Sequence, residues 1–334
     1  MLRPVAVCLR MRILLSSNHR YPACDGISAG LNPRAWPSGS GFFVHDSIAK
    51  GLSELGHEVF YHLPNGADAE PPPGVTIVSS PVKDVDVLHT MTFRDWDLVK
   101  DFKRAGIPWV ATCHLDPTVP GRTLADPIED NWIFVSRTLA KSLGRSRYVL
   151  NGIEPSAYLY SGKKADYFLF MACVDWAYHK GLDRALEACA TAGVKLVVAG
   201  TSRRREVVEE IARECGRAGA DYVGDVRGVA KAQLLAGARA LIFPTRINEA
   251  FGLVIAEALM SGTPVIASDS GACQELLSPE TGILCRETAD FAAAIERVGD
   301  IDPAICRARA LREFHYLRMA SEYVREYECE RIST

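Results

Sequence analysis

Short apolar runs alternate with amphipathic stretches along nearly the whole chain. Runs such as 12–17 (RILLSS), 58–63 (EVFYHL) and 195–200 (KLVVAG) have the length and apolar content of strands buried on both faces. Segments with apolar residues at helical spacing lie between such runs, among them 181–193 and 204–218. This alternation predicts parallel sheets covered by helices on both faces, which is an α/β fold.

The same pattern predicts two Rossmann-like domains that face each other across a cleft. The stretch 151–166, rich in Gly, Pro, Ser, Tyr and Lys, separates two series of elements. The predicted division is an N-terminal domain 1–155, a C-terminal domain 156–315 and a final helix 316–334. Further strands are expected at 75–80, 85–90, 108–113, 131–136, 147–151, 166–172, 221–224, 239–245, 263–268 and 281–285, and further helices at 42–55, 96–105, 137–143, 229–236, 253–261, 288–298 and 303–330.

Composition and charge narrow the class of protein. The 334 residues are 48% hydrophobic and 24% charged, and 38 basic against 41 acidic residues give a net charge of −3. A nucleic-acid binder would need a basic excess, so no nucleic-acid partner is expected. No apolar window is long enough for a transmembrane helix, and 4–9 is too short for a secretory signal. With ten cysteines and no CxxC pair, the chain is expected to be cytoplasmic with reduced thiols; Met11 is a second candidate start.

Candidate chemistry concentrates in residues 244–275. Glu249 and Glu257 stand eight positions apart, before and within a predicted helix. The amides of Phe251, Gly252 and Leu253 fall at the start of that helix, where unpaired N–H groups and the helix dipole favour an anion. Carboxylates at these places can accept hydrogen bonds from sugar and ribose hydroxyls. The alternative is a capping glutamate followed by a solvated glutamate on the helix surface.

The segment resembles the Glu-x7-Glu signature of the retaining family-4 glycosyltransferases of GT-B fold. Thr245 stands where this family usually has Ser, and Ala250 where Pro is common. The matching positions are Pro244, Glu249, Phe251, Gly252, Leu253, Glu257, Ala258, Gly262, Pro264, Val265, Gly271 and Glu275.

Other segments resemble the same family, and together the resemblance covers about 11–327. Residues 36–57 are similar to its glycine loop and first helix, with Gly39 and Gly41 in the loop. His114 matches the family's histidine that faces the donor sugar, and 151–158 matches its interdomain loop. Residues 179–188 match its K-G-x-x-x-x-L-x-A helix, whose lysine is Lys180 here.

The resemblance implies a glycosyltransferase that uses a nucleotide-diphospho-sugar donor and retains the anomeric configuration. Lys180 and the amides of Gly252 and Leu253 would hold the diphosphate, and Glu257 would bind the ribose. Glu249 would hold sugar hydroxyls, and His114 would line the reacting face, so these two are the predicted catalytic residues. Neither a metal nor a resident cofactor is expected, because fixed cations and dipoles neutralise the leaving diphosphate. Gly39, Gly41 and Phe251 complete the predicted donor site. The resemblance also implies that the N-terminal domain binds the acceptor, that the C-terminal domain binds the nucleotide-sugar, and that the final helix crosses back to pack on the N-terminal domain.

One departure from the family falls in this site. Ala172 and Cys173 stand where the family has Gly and an Arg that also holds the diphosphate. The substitute cations that the sequence offers are Arg203, Arg204, Arg205, Arg246 and, more weakly, His179. The Asp-x-Asp pairs 84/86 and 300/302 are interpreted as strand-start and capping residues rather than as metal ligands.

Other functions on the same scaffold stay open at this stage. One alternative is a nucleotide-sugar epimerase or a sugar phosphorylase, and another is a non-catalytic nucleotide-sugar-binding protein, which the Ala172-Cys173 departure favours. The acceptor is a carbohydrate, a lipid-linked molecule or a small molecule, and a peripheral membrane contact stays open. Acceptor specificity is expected in the loops 21–38 and 116–130.

Overall fold

The computed structural model describes residues 10–23, 40–91, 96–115 and 128–333. Within them, two sheets of six parallel strands form. The first contains β1 (Arg12–Ser16), β2 (Glu58–His62), β3 (Val75–Val78), β4 (Val87–Met91), β5 (Trp109–Cys113) and β6 (Trp132–Phe134), and the second contains β7 (Phe168–Met171), β8 (Leu196–Ala199), β9 (Asp221–Gly224), β10 (Leu241–Phe243), β11 (Val265–Ser268) and β12 (Gly282–Cys285).

Helices follow most strands, as the alternating pattern predicts. The first part of the chain has α1 (Ser40–Glu54), α2 (Trp96–Arg104) and α3 (Arg137–Ser142). The second has α4 (Leu182–Thr191), α5 (Arg205–Arg217), α6 (Gly228–Gly237), α7 (Leu253–Met260), α8 (Cys273–Leu276), α9 (Thr288–Arg297), α10 (Pro303–Glu313) and α11 (Tyr316–Ser333).

The strand orders confirm the predicted α/β fold with two Rossmann-like sheets. The first sheet runs β3-β2-β1-β4-β5-β6 and the second β12-β11-β10-β7-β8-β9. Central strands are buried on both faces, since every residue of β5 and of β8 is buried. This burial explains why these runs are apolar throughout rather than alternating. No helix of the described part is long and apolar enough to span a membrane.

Two predicted elements are wrong in detail. Residues 147–151 do not form a strand, because only an isolated bridge joins Tyr148 to Phe134. The chain leaves the sheet there to reach the domain junction, where the Ile153 amide donates to the Phe314 carbonyl at 2.8 Å. The predicted helix 303–330 is interrupted at Phe314–His315 for the same reason, since the Tyr316 amide donates to the Ile153 carbonyl at 3.2 Å.

The last helix crosses back to the first sheet, as predicted. It packs along α1 and also contacts β5. The Tyr323 hydroxyl lies 2.8 Å from Thr112 Oγ1, and the Tyr327 hydroxyl lies 2.6 Å from His89 Nδ1. The apolar stripe of α11 is therefore buried against α1 and the first sheet.

Candidate functional site

The order in which strands are added to the second sheet reverses between β7 and β10. The chain proceeds from β7 outward through β8 and β9, then returns to the other side of β7 and proceeds through β10, β11 and β12. Ligands of open α/β sheets bind at the carboxyl ends of the strands at this kind of switch point. Lys180 lies in the connection that follows β7, and Glu249 lies in the connection that follows β10.

These two side chains meet at the switch point. The Lys180 ammonium donates a hydrogen bond to Glu249 Oε2 in a largely buried ion pair, and it also lies 5.5 Å from the centre of the Phe243 ring. The close packing of the chain at Gly181 fixes this geometry, because a Cβ at Gly181 would lie 2.0 Å from the Pro244 carbonyl oxygen. The structure thus brings together the two residues that sequence analysis assigned to the diphosphate and the sugar; those roles themselves stay predictions.

The start of α7 lies beside this pair. Gly252 occupies the position before the helix with a left-handed backbone (φ +88°), and Leu253 is the first helical residue. The Glu249 carbonyl accepts a 2.9 Å hydrogen bond from the Ala272 amide, which fixes the preceding loop. The Phe251 ring is buried edge-to-face on Phe314, so only the Phe251 backbone is available for a ligand.

Glu257 is buried on α7 rather than solvated, which rules out the surface interpretation of this glutamate. Its Oε1 accepts hydrogen bonds from Lys231 Nζ and from the Tyr158 hydroxyl, each at 2.9 Å. Sequence analysis missed Lys231 and Tyr158. The signal for Lys231 was its place on α6: it lies four residues before Leu235 and on the same buried face.

His114 lies directly after β5 in the first sheet and packs against Gly41. A Cβ on Gly41 would lie 3.0 Å from the imidazole Cδ2 and 2.8 Å from Met91 Cε, so a side chain there would displace the imidazole. His114 Nε2 is shielded from solvent with no hydrogen-bond partner among the described residues. Burial lowers the pKa of His114 to about 3, so the ring is neutral at physiological pH. Gly39 and most of the two predicted acceptor loops lie outside the described residues.

Two further histidines surround His114. The His45 ring centre lies 5.1 Å from that of His89 and 5.5 Å from that of His114. Burial lowers the pKa of His45 well below its usual range and lowers the pKa of His89 to about 3. Sequence analysis named His114 but missed His45 and His89, because the three histidines come from α1, β4 and the end of β5, with no common spacing.

The predicted substitutes for the family arginine differ in their surroundings. Arg246 is bound by both oxygens of Asp183 at 2.5 Å, and it also donates to the Tyr178 carbonyl. Arg204 pairs with Asp175 at 2.7 Å.

Asp175 Oδ2 in turn lies 3.6 Å from the Sγ atom of Cys173, the residue that stands where the family has an arginine. Arg205 instead pairs with Glu209 along α5, and the His179 carbonyl accepts from the Arg246 amide. Arg204 is therefore the candidate cation whose ion-pair partner contacts Cys173.

Three aspartates of the two Asp-x-Asp pairs have structural partners. Asp302 caps α10 by accepting from the Ala304 amide at 2.8 Å, as predicted. Asp86 accepts from the Arg12 amide at 2.8 Å, and Asp84 forms an ion pair with the Arg12 side chain. Within the described ranges, no group of three or more His, Cys, Asp or Glu residues is arranged to hold a metal ion.

Comparison with known proteins finds sequence similarity in the second part of the chain. The family model described as "Glycosyl transferases group 1" matches residues 165–300. A glycogen synthase of Mycobacterium tuberculosis is 31% identical over 157 residues, which cover 44% of this chain and 36% of the relative. The matched part thus spans about a third of that relative's length.

Solved structures resemble the chain over nearly its whole length. The glycosyltransferase AviGT4 of avilamycin A biosynthesis is 23% identical with a TM-score of 0.75, covering 97% of this chain and 99% of its own. HepE of Anabaena, solved in complex with UDP-glucose, is 16% identical with a TM-score of 0.70, covering 96% of this chain and 100% of its own. Residues 165–300 are thus similar to the glycosyl transferases group 1, and the two-sheet architecture of the whole described chain is the GT-B fold.

Proposed function

We propose that this chain transfers a sugar from a nucleotide-diphospho-sugar to an acceptor hydroxyl, with retention of the anomeric configuration and without a metal ion. The observation that carries the proposal is the Lys180–Glu249 ion pair at the switch point of the second sheet, beside the start of α7. This arrangement offers one cation, one carboxylate and several helix-start amides within one small region. An activated sugar needs that combination, because it carries an anionic diphosphate and neutral hydroxyls.

In this proposal, the second sheet binds the donor. Lys180 and the amides at the start of α7 bind the diphosphate, and Glu249 accepts hydrogen bonds from sugar hydroxyls. Glu257 accepts from the ribose hydroxyls, one helical turn deeper. As the bond between the anomeric carbon and the phosphate oxygen breaks, negative charge grows on the diphosphate. The fixed cation and amides stabilise that charge without rearranging.

The first sheet contributes neutral groups to the transfer. The acceptor oxygen bonds to the anomeric carbon on the face from which the diphosphate leaves, and its proton passes to the departing phosphate oxygen. The neutral His114 imidazole serves as a hydrogen-bonding wall for the sugar rather than as a proton donor. Closure of the cleft would exclude water and limit donor hydrolysis.

The comparisons support the donor class. HepE, which shares the fold, has been solved with UDP-glucose. The buried free thiols of Cys189, Cys273 and Cys306 fit a reducing compartment, so we propose the cytoplasm as its location.

The test begins with a thermal-shift panel of UDP, GDP, ADP and dTDP sugars on the wild type and on Glu249→Gln. A selective rise in melting temperature for one donor, reduced in the variant, supports the proposal; no shift with any donor contradicts it. Release of nucleoside diphosphate in the presence of acceptors then distinguishes an enzyme from a non-catalytic binding protein. The second alternative is considered because Cys173 stands where the family has an arginine.

Two further measurements address the finer claims. NMR of the product gives the anomeric configuration, and an inverted or epimerised sugar would contradict retention. A chelator should leave turnover unchanged, whereas a loss that magnesium restores would contradict metal independence.

A further inference from the structure

A buried polar group of three residues lies behind the start of α7. Glu257 comes from α7, Lys231 from α6 and Tyr158 from the segment that joins the two sheets. The side chains of Lys231 and Glu257 are 8% and 4% exposed, and Tyr158 is 4% exposed. Both Nζ of Lys231 and the Tyr158 hydroxyl donate to the same oxygen, Glu257 Oε1, at 2.9 Å.

This convergence determines how the carboxylate is held. A buried carboxylate is costly unless a cation and hydrogen bonds compensate it. Lys231 supplies the cation, and Tyr158 supplies a neutral donor to the same atom. Two donors that approach one oxygen from different elements restrict the rotation of the carboxyl group, so Glu257 has a defined orientation before any ligand binds.

We propose that Lys231 and Tyr158 are positioning residues for Glu257 and that they give the site its discrimination for a ribose over a 2′-deoxyribose. The inference rests on the proposed function, in which Glu257 accepts from the ribose hydroxyls. A carboxylate held in one orientation can meet both hydroxyls of a ribose, whereas a freely rotating one loses that advantage as ordering entropy. Lys231 acts through Glu257 and does not contact the sugar of the donor.

The experiment measures discrimination rather than affinity alone. Calorimetry compares UDP, GDP and ADP with their 2′-deoxy counterparts on the wild type, Lys231→Met, Lys231→Arg and Tyr158→Phe. For the base that binds, the wild type should prefer the ribose form by about tenfold or more, as expected when hydrogen bonds to a charged group are lost. Lys231→Met should bring that ratio close to one, Tyr158→Phe should reduce it severalfold, and Lys231→Arg should preserve most of it.

Lys164→Met is the matched control for the loss of a buried lysine charge. Lys164 is also partly buried, and it donates to the Ala236 carbonyl and to Thr263 Oγ1, at the ends of the same two helices, rather than to Glu257. This variant should lower the melting temperature yet leave the ribose preference intact. Pyrophosphate, which has no ribose, should bind all folded variants as it binds the wild type.

Each other outcome overturns a defined statement. A ribose preference that survives in both Lys231→Met and Tyr158→Phe overturns the positioning role while leaving the proposed function in place. A wild type that binds no nucleoside diphosphate overturns the proposed function, and this inference with it. A wild type that binds both forms equally overturns the ribose assignment of Glu257. Should Lys231→Met not fold, Tyr158→Phe decides, since it keeps the ion pair.

Discussion

The two sheets and their helices bring together different kinds of polar side chains. The second sheet and its helices bring together two ion pairs, Lys180 with Glu249 and Lys231 with Glu257. The first sheet and α1 bring together three histidines with lowered pKa values, His45, His89 and His114. Sheets of the same strand number and similar order thus carry charge on one side of the molecule and neutral polar groups on the other.

This difference teaches how such a pair of domains can divide one reaction. An anionic diphosphate calls for fixed cations and amides, which the second sheet provides. Neutral hydroxyls call for groups that donate or accept without carrying charge into a dry site, and the neutral imidazole of His114 meets that need. If this division is correct, substitutions in the second sheet should change donor affinity and turnover, and substitutions in the first should change pH dependence.

The largest effect is expected from Glu249→Gln. The substitution keeps the size of the side chain but removes the charge that pairs with Lys180 and that would order the sugar. Turnover should fall on the order of a hundredfold to a thousandfold, comparable to the removal of one fixed group that stabilises a transition state. Product formation under saturating donor measures it.

Glu187→Gln serves as the control, because Glu187 is exposed on α4, and its turnover should match the wild type. If the turnover of Glu249→Gln is within a factor of about three of wild type at unchanged melting temperature, Glu249 does not belong to the site. The proposed role of the ion pairs of the second sheet then fails with it.

A smaller effect is expected from Lys180→Met. Loss of one charge-assisted contact of about 1.5–3 kcal/mol should weaken nucleoside diphosphate binding by roughly ten- to a hundredfold. Binding should also become less sensitive to salt, because one screened attraction is gone. Calorimetry at two ionic strengths measures both.

Lys195→Met is the matched control: Lys195 is exposed and pairs with Asp221 at the far edge of the second sheet. Equal affinities for Lys180→Met and wild type would contradict the assignment of Lys180 to the diphosphate.

The histidines of the first sheet predict that the folded chain loses stability in acid, and His89 is the residue that tests this. Its pKa is lowered from 6.5 to about 3 by burial, so the unfolded chain binds its proton more readily than the folded one. The stability from this group is fully present above about pH 6.5 and is lost as pH falls toward 3. The free energy of unfolding should drop by about 1.4 kcal/mol per pH unit in that window, or about 2 kcal/mol by pH 5.

Urea unfolding between about pH 7 and pH 5 measures this slope. His89→Gln, which cannot titrate, should have a slope shallower by that amount, although it is less stable at pH 7 because the contacts with Tyr327 and Thr112 change. His179→Gln is the control, since His179 is exposed, and it should keep the wild-type slope. Identical slopes in all three proteins would show that His89 is not the source.

Sequence patterns predicted the ion-paired residues of the second sheet better than the histidines of the first sheet, for physical reasons. Glu249, Glu257 and the start of α7 follow one another along the chain, so a single segment reveals them. Lys231 and Tyr158 reach Glu257 from a different helix and from the interdomain segment, and only packing brings them together.

The errors in the predicted elements have a similar origin. Residues 147–151 have the composition of a strand, but the need to reach the domain junction at Ile153 overrides that local preference. The interruption of the last helix at Phe314–His315 follows from the same contact. A tertiary contact between distant segments leaves no periodic signal in either of them.

The smallest effect concerns the cation that replaces the family arginine at Cys173. Arg204 pairs with Asp175 beside Cys173, whereas Arg246 is tied to Asp183. Because the Arg204 side chain is 60% exposed, its contribution is screened, and Arg204→Ala should weaken nucleoside diphosphate binding only about two- to fivefold. Arg205→Ala, which removes a neighbouring arginine paired with Glu209, should have no measurable effect in the same titration. If Arg204→Ala and Arg205→Ala bind nucleoside diphosphate equally well, Lys180 and the α7 amides alone bind the diphosphate. Arg204 then serves only to hold Asp175.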